Sequence, residues 1–384
     1  MKSEWTKKKL SDIADFNPRE TIKKGAIAKK IPMDVLRPFY RDIPYYVEEC
    51  FSGGTKFRNG DTIMARITPC LENGKTAQVS ILNDGEVGFG STEYIVFRAK
   101  EGIADKDYLY YLVCSPEVRE PAIKSMVGSS GRQRVQTDVV KNLEIDVPPL
   151  VEQEKIGSFL KAFDDKIALN DRINNNLEQQ AQAIYQQMFI DNASSDWTEG
   201  TLSDIAGITM GQSPSGSSYN EDGNGTIFFQ GRAEFSFRFP TIRLYTTEPK
   251  RMACANDTLM SVRAPVGDLN VAHTDCCIGR GLAAIHSKNN HQSFVLYTMF
   301  SLKKQLDVFN GEGTVFGSIN RNSLNEIPIL IPSSKKLDEF ETLVAPMDAA
   351  IRNNYDEICR LEQLRNSLLP KLMSGELDVS DIDL

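Results

Sequence analysis

Few residues in this sequence are spaced for catalysis or cofactor binding. Gly74-Lys75-Thr76 matches the end of a phosphate-binding loop, but the glycine that must begin such a loop is replaced by Pro69. Neither G-x-G-x-x-G nor G-x-S-x-G occurs in the sequence. Asn17-Pro18-Arg19 does not match the acidic-or-Asn, Pro, Pro, aromatic tetrad expected of a nucleic-acid amino-methyltransferase. These absences predict that the chain catalyses no reaction by itself.

The metal-binding residue types are also scattered. The seven cysteines form no C-x-x-C pair, which favours reduced thiols. The three histidines have no neighbouring set of ligands, so we expect no metal site. No apolar run approaches the roughly 18 residues of a membrane span. The polar start of the chain, MKSEWTKKKL, lacks the apolar segment of a signal peptide, and we expect a soluble cytoplasmic protein.

The elements that position any functional side chain are present twice. WTKKKLSDIA at residues 5–14 recurs as WTEGTLSDIA at 197–206, and GDTIMARITP at 60–69 resembles NDTLMSVRAP at 256–265. VQTDVVKNLEIDVPP at 135–149 matches INRNSLNEIPILIPS at 319–333. The segments between these repeats differ in length and composition. A duplicated module with diverged loops is typical of one scaffold that binds two different targets, although duplication for stability alone is an alternative.

A long helix with a heptad pattern is predicted after each module. Apolar residues alternate at steps of four and three from Ile156 to Met188, and the series from Phe340 to Leu372 lies 184 residues later. Each helix would span about 40 residues, or about 60 Å. Each has one apolar stripe that needs a partner, and the simplest partner is the other helix.

Negative charge is concentrated in these helical segments. The whole chain has 44 basic and 52 acidic residues, a net charge of −8. Residues 151–196 carry 4 basic and 8 acidic side chains, and residues 335–384 carry 6 and 11, whereas residues 1–150 carry 23 and 21. The near-neutral modules can therefore bind nucleic acid if their basic side chains share one face, and the acidic helices are expected to face something other than DNA.

This arrangement resembles the specificity (S) subunit of Type I restriction-modification systems over essentially the whole chain. The similarity rests on the paired W-T-x-x-x-L-S-D-I-A starts, the heptad helices, and the segments VPPLVEQEKIGSFL (147–160), GSTEYIVFR (90–98), GRGLAAI (279–285) and KLMSGEL (371–377). The second helix departs from the family pattern, because it begins SSKKLDEF at 333–340 and lacks the P-x-x-x-Q start.

The resemblance implies an α+β fold with two similar mixed α/β target recognition domains in a pseudo-twofold arrangement, joined by two long antiparallel coiled-coil helices. The first recognition domain would span residues 1–149, and the central spacer helix 150–192. The second recognition domain would span 193–332, and the C-terminal spacer helix and tail 333–384.

The resemblance also implies a non-catalytic DNA sequence-specificity subunit of an adenine-N6 methyltransferase and ATP-dependent endonuclease complex. Each domain would read one half of a bipartite asymmetric target in double-stranded DNA. The helices would dock two modification (methyltransferase) subunits, and restriction (motor-nuclease) subunits would join outside them. S-adenosylmethionine would be bound by the methyltransferase, and this chain would bind no cofactor. The alternatives are a single-chain nuclease-methylase, a protein-protein scaffold without a DNA role, and the specificity chain of a related methylase-nuclease system.

Candidate DNA contacts are polar and basic side chains on loops beside the repeated strands. In the first module they are Arg66, Thr68, Lys75, Arg132, Gln133 and Arg134, and in the second Gln212, Ser213, Arg232, Arg263, Asn320 and Arg321. Arg132 and Arg134 lie in a glycine-flanked loop, and replacing both with alanine is expected to weaken DNA binding and to lower its salt dependence by roughly one to two units of slope if both contact phosphate. A surface salt bridge is the alternative for each arginine. Arg280, between two glycines, could equally be an internal brace.

Two asparagines interrupt the helical stripes. Asn170 and Asn354 occupy equivalent positions in the two heptad series, 184 residues apart. If the helices are antiparallel, a central residue meets its own counterpart, so we expect these side chains to pair and to fix the register. A solvated position at the edge of the stripe is the alternative for either residue.

Overall fold

The computed structural model of the chain describes residues 5–311 and 317–379. The chain divides into two compact units: unit 1 contains residues 1–171 and 355–384, and unit 2 contains residues 172–354. Unit 1 therefore holds the first repeat and unit 2 the second. Each unit also contains part of both long helices.

Unit 1 contains ten strands and four short helices in the described residues. The strands are β1 Thr6–Lys9, β2 Ala14–Phe16, β3 Ile27–Ile31, β4 Val47–Cys50, β5 Thr55–Phe57, β6 Thr62–Ala65, β7 Thr76–Gln78, β8 Gly88–Gly90, β9 Tyr94–Ala99 and β10 Glu144–Val147. The helices are α1 Leu10–Ile13, α2 Lys106–Cys114, α3 Pro116–Lys124 and α4 Thr137–Lys141. The long helix α5, Leu150–Tyr185, begins in this unit and ends in unit 2.

The strands of unit 1 form two four-stranded sheets and one two-stranded ladder. The sheet orders are β2-β9-β6-β7 and β4-β3-β8-β5, and β1 pairs with β10. The central strand β6 is buried at all four positions, as expected for a strand covered on both faces. A core of buried residues lies between the first sheet and α2, and it includes Met64, Ile95, Tyr108 and Leu160.

Unit 2 repeats these elements in the same order, with additions. The strands are β11 Thr198–Thr201, β12 Ala206–Met210, β13 Tyr219–Asn220, β14 Thr226–Phe229, β15 Leu244–Thr246, β16 Met252–Ala253, β17 Thr258–Ser261, β18 Leu269–Val271, β19 Cys276–Ile278, β20 Leu282–Ser287 and β21 Pro328–Ile331. The helices are α6 Leu202–Ile205, α7 Gln292–Ser301, α8 Lys303–Asp307, α9 Arg321–Asn325 and the long α10, Ser334–Met373, which ends in unit 1. Short 3-10 turns span Gly216–Ser218, Arg232–Glu234 and Val308–Asn310, and the π-helical turn Gln186–Asp191 follows α5.

The sheets of unit 2 correspond to those of unit 1. Their orders are β12-β20-β17-β18 and β13-β15-β14-β19-β16, and β11 pairs with β21. In both units one parallel pair lies in the second sheet, β3 with β8 and β14 with β19. The extra strand β13 pairs with the outer edge of β15 in unit 2.

The repeated LSDIA segment folds identically in the two units. Helices α1 and α6 each bury their leucine and isoleucine. The Lys9 amide donates to Asp12 Oδ2 at 2.9 Å, and the Thr201 amide donates to Asp204 Oδ2 at 2.7 Å. Each aspartate thereby satisfies an amide that a helix start leaves without an intrahelical partner.

The long helices pack antiparallel within each unit, as predicted. In unit 1 the Arg365 guanidinium pairs with Asp164, and Asn170 Nδ2 donates to Glu357 Oε2 at 2.7 Å. The higher-numbered residue of α5 thus contacts the lower-numbered residue of α10, so the two helices run in opposite directions. The predicted stripe is buried at Ile156, Leu160, Ile167, Asn170, Asn174 and Ala181 on α5, and at Phe340, Val344, Ile351, Ile358, Arg365 and Leu372 on α10. Asp164 and Tyr185 are buried where Phe163 and Ile184 were expected.

The structure corrects the expected pairing of Asn170 with Asn354. Asn354 Nδ2 donates to Asn174 Oδ1 at 2.8 Å in unit 2, and Asn170 bonds to Glu357 in unit 1. The residue opposite Asn354 is thus one helical turn beyond the predicted one. No helix in the described part of the chain is long and apolar enough to cross a membrane.

Candidate nucleic-acid interface

The basic loop of the first module is hydrogen bonded to the end of strand β6. The Thr68 amide donates to the Gln133 carbonyl at 3.0 Å, and the Val135 amide donates to the Arg66 carbonyl at 2.9 Å. These bonds place Ile67 opposite Arg134 in an antiparallel bridge. We call residues 66–68 and 133–135 the first bridge.

The second module contains the same hydrogen bonds, made by different residues. The Ala264 amide donates to the Gly317 carbonyl at 3.0 Å, and the Ile319 amide donates to the Val262 carbonyl at 3.1 Å. Arg263 lies opposite Ser318. Residues 262–264 and 317–319 form the second bridge. Each bridge is followed by a cis X-Pro bond, Thr68–Pro69 or Ala264–Pro265.

A third segment joins each bridge on its other side. The Arg66 amide donates to the Glu93 carbonyl, and the Val262 amide donates to the Gly281 carbonyl, both at 2.9 Å. Glu93 and Gly281 immediately precede the equivalent strands β9 and β20. The two modules therefore present the same backbone arrangement with different side chains, since Glu93 and Arg134 correspond to Gly281 and Ser318.

Three predicted residues of the first module have partners inside the module. Arg66 is half-buried and its Nη2 donates to the Val135 carbonyl at 3.1 Å. Lys75 Nζ donates to the Met33 carbonyl at 2.9 Å, and Thr68 Oγ1 donates to the Gln133 carbonyl at 3.4 Å. These side chains hold the loops in place, and a DNA contact by any of them stays a prediction.

The basic triplet divides into residues of different character. Arg132 is exposed, and among the described residues its guanidinium has no hydrogen bond or ion pair. Gln133 is half-buried. Arg134 is exposed and its guanidinium contacts the Glu93 carboxylate, with Nη2 2.7 Å from Oε1. The hydrogen bond from Arg134 lowers the pKa of Glu93 below its usual range, so this carboxylate is ionised at neutral pH.

Glycine-rich loops of the second module converge beside its bridge. The Gln212 amide donates to the Ile278 carbonyl at 3.0 Å, and Ser213 Oγ accepts the Arg280 amide at 3.2 Å. A side chain at Gly279 would place its Cβ 2.7 Å from the Gln230 carbonyl oxygen, which explains the need for glycine at this close approach. The loops of Gln212, Gln230 and Arg280 therefore lie together.

The predicted residues of the second module also differ in their partners. Arg232 forms an ion pair with Asp268. Asn320 caps helix α9, because its Oδ1 accepts the Ser323 amide at 2.9 Å. Gln212, Arg263 and Arg321 are exposed, and within residues 5–311 and 317–379 their side chains have no hydrogen bond or ion pair.

Arg280 is a candidate contact that the sequence interpretation left undecided. Its side chain is exposed and has no polar partner in the described ranges, which argues against an internal brace. It lies one residue before Gly281, which bonds to the second bridge. The two glycines that flank Arg280 were the signal in the sequence that could have identified it. The glycines allow three loops to approach closely, but this close approach does not require a charged residue between them.

Comparison with known proteins identifies the chain. The model of the family described as the Type I restriction modification DNA specificity domain matches residues 2–179 and 194–353. The chain belongs to this family. The two matches correspond to the two repeats, and the chain is a DNA sequence-specificity subunit of the Type I restriction-modification class.

Named specificity subunits are similar over most of the chain. The putative type I restriction enzyme MjaX specificity subunit of Methanocaldococcus jannaschii is 29% identical, and the alignment covers 98% of this chain and 94% of that protein. The MjaIX specificity subunit of the same organism is 26% identical over 74% of this chain and 71% of that protein.

The crystal structure of a Type I restriction-modification S subunit from M. genitalium shares the fold. It is 16% identical in sequence, covers 96% of each chain and has a TM-score of 0.60. Exposed cations in and beside the two bridges, without a polar partner among the described residues, therefore lie on this fold. Their individual contacts to DNA remain predictions.

Proposed function

We propose that each module reads one half of a bipartite, asymmetric target in double-stranded DNA through the edge formed by its bridge. The observation that carries this proposal is one backbone hydrogen-bond pattern present twice with different side chains. A shared backbone places two sets of side chains equivalently, and different side chains select different bases. Arg132 in the first module and Arg263, Arg280 and Arg321 in the second are available for phosphate or base contacts.

The long helices are proposed to dock methyltransferase subunits. The segments that contain them, residues 151–196 and 335–384, carry 4 basic and 8 acidic, and 6 basic and 11 acidic, side chains, which disfavours contact with DNA. They also expose large apolar side chains, with Val151 68%, Leu343 52% and Leu364 50% exposed. Single exposed apolar residues are common on protein surfaces, so the charge of the segments is the support for this proposal. The methyltransferase would bind S-adenosylmethionine and methylate adenine, motor-nuclease restriction subunits would complete the complex, and this chain would bind no cofactor.

The direct test is genome-wide mapping of methylated adenine in cells that express the methyltransferase subunits with or without this chain. We expect a bipartite, asymmetric methylated motif that disappears when the chain is absent. An unchanged methylation pattern would instead support the protein-protein scaffold.

Variants test the second bridge together with the neighbouring Arg280. The double variant Arg263→Ala with Arg280→Ala should reduce methylation of the motif, whereas Lys304→Ala, which removes an exposed cation on α8, should not. Equal loss in both variants would assign the effect to general charge and not to the second bridge.

A further inference from the structure

The guanidinium of Arg134 is held along one side by a carboxylate. Nε lies 3.0 Å from Oε1 and 2.9 Å from Oε2 of Glu93, and Nη2 lies 2.7 Å from Oε1. Arg134 lies in the first bridge opposite Ile67, and Glu93 lies on the adjoining segment, where its carbonyl accepts the Arg66 amide. The bidentate contact with the Glu93 carboxylate therefore fixes the plane of the Arg134 guanidinium.

The opposite end of the same guanidinium is available for a ligand. Nη1 has no hydrogen-bond partner in the described part of the chain, and the Arg134 side chain is 47% exposed. Because Glu93 binds Nε and one side of Nη2, the end formed by Nη1 and Nη2 presents its N–H groups away from the carboxylate. That end is a planar pair of donors with a preset orientation.

We propose that Arg134, oriented by Glu93, reads a guanine in the half-site bound by the first module. Guanine presents two acceptors, O6 and N7, side by side in the major groove, and a planar pair of guanidinium donors matches them. The inference rests on the proposed function of the module and assigns a base to one of its residues. It also replaces the expectation that Arg134 contacts phosphate.

The charges of the loop favour this assignment over a phosphate contact. The positive charge of Arg134 is balanced by Glu93, so its attraction to the DNA backbone is weakened. Arg132, two residues earlier, has no such partner within residues 5–311 and 317–379 and retains its full charge. The loop thus provides Arg132, a free cation suited to contacting the phosphate backbone, and Arg134, an oriented guanidinium suited to reading a base.

Among its described residues, the second module has no equivalent of this pair. Gly281 and Ser318 occupy the positions of Glu93 and Arg134 in the matching hydrogen-bond pattern. The guanine contact would therefore belong to the first half-site alone, and the second half-site provides an internal control in every measurement.

The test measures binding by the complex of this chain with its methyltransferase subunits. Duplexes carrying the mapped target are substituted singly at each position of both half-sites. The wild-type complex should discriminate against replacement of one G·C pair in the first half by roughly 10- to 100-fold. Arg134→Ala and Arg134→Lys should abolish this preference, because neither retains the planar fork. Glu93→Gln should reduce it, since the amide no longer holds the guanidinium as a bidentate carboxylate does.

Two controls separate base reading from positioning and from misfolding. Arg132→Ala should keep the preference for the G·C pair and lower the salt dependence of binding by about one unit of slope. The Arg134 variants should keep the wild-type slope. Unaltered discrimination at the other positions of the first half-site would show that the first module still folds in each variant, and unaltered discrimination in the second half-site would show the same for the second module.

Three results would overturn the inference while leaving the proposed function intact. They are a first half-site without any G·C pair, an Arg134→Ala complex with full discrimination at every position, or an Arg134→Ala complex whose only change is a lower salt slope. Failure of the proposed function would look different, because the wild-type complex would then show no sequence preference in the first half-site at all.

Discussion

The two modules share the hydrogen bonds of their bridges and differ in the side chains that those bridges carry. Ile67 lies opposite Arg134 in the first, and Arg263 lies opposite Ser318 in the second. The strands behind the bridges are buried at every position, so apolar packing fixes the backbone. Side chains at the exposed edge take no part in that packing. A duplicated chain can therefore keep one scaffold and change what each copy recognises.

The modules also anchor to the long helices in related but different ways. In unit 1 the Tyr111 hydroxyl donates to Asp164 Oδ2 at 2.6 Å, and Arg365 of α10 pairs with the same carboxylate. In unit 2 the Tyr297 hydroxyl donates to Asp348 Oδ1 at 2.9 Å, and the arginine, Arg238, comes from a loop. Both units therefore use a tyrosine and an aspartate, but the arginine comes from the long helix α10 in unit 1 and from a loop in unit 2.

The largest expected effect is the loss of these anchors. Asp164→Ala leaves Arg365, 5% exposed, without its carboxylate partner, and we expect a loss of about 3–5 kcal/mol in the free energy of unfolding. Asp348→Ala should also destabilise, because it removes one of the two carboxylates paired with Arg238, which is 4% exposed, and leaves only Glu178, whose Oε2 lies 3.7 Å from Arg238 Nη1. Urea unfolding of both variants checks this. A large loss in only one unit would show that the two anchors are not equivalent.

A smaller effect is expected on binding from the second bridge. Arg263→Ala with Arg280→Ala should lower the salt dependence of DNA binding by about two units of slope if both contact phosphate. Discrimination in the first half-site should remain, since Glu93 and Arg134 are unchanged. The measurement is binding by the complete complex over a range of salt concentrations, and an unchanged slope would remove both residues from the backbone contacts.

Breaking the Asn174–Asn354 hydrogen bond of unit 2 should lower the free energy of unfolding by about 1 kcal/mol. Asn174→Leu leaves the amide of Asn354 without its acceptor and should destabilise by about that amount. Adding Asn354→Leu removes the unpaired amide and should recover the loss, because two apolar side chains then meet at the helix contact. Thermal unfolding distinguishes the outcomes. A double variant less stable than Asn174→Leu would contradict the account.

The smallest effect concerns pH. Burial raises the pKa of Glu341, whose Oε1 accepts the Phe294 amide at 2.9 Å. A carboxyl with a raised folded-state pKa binds protons more readily in the folded protein, so its contribution to stability falls as pH rises from its unfolded value through its raised value. Glu341→Gln keeps an acceptor and removes the charge. The stability of this variant relative to wild type should therefore increase with pH over that range, and the opposite trend in urea unfolding would contradict the assigned direction.

The sequence predicted the repeats and the helices better than the functions of single side chains. Heptad spacing identified Leu160 and Val344 as buried, because burial follows directly from periodicity. The register was displaced by a turn, since Asn174 and Asn170 both lie on the stripe and the pattern does not show which of them faces Asn354. The sequence pattern also does not show which residues from distant segments contact each other. Glu93 lies 41 residues from Arg134. The Asn320 cap is local, because its partner Ser323 is three residues away, but the asparagine was interpreted as a DNA contact.

The most direct test of independent reading by two modules is an exchange of residues 1–149 for the first module of another family member. The hybrid is expressed with its methyltransferase subunits, and methylated adenines are mapped across the genome. We expect a new motif whose first half comes from the donor and whose second half is unchanged. A motif altered in both halves would contradict this expectation.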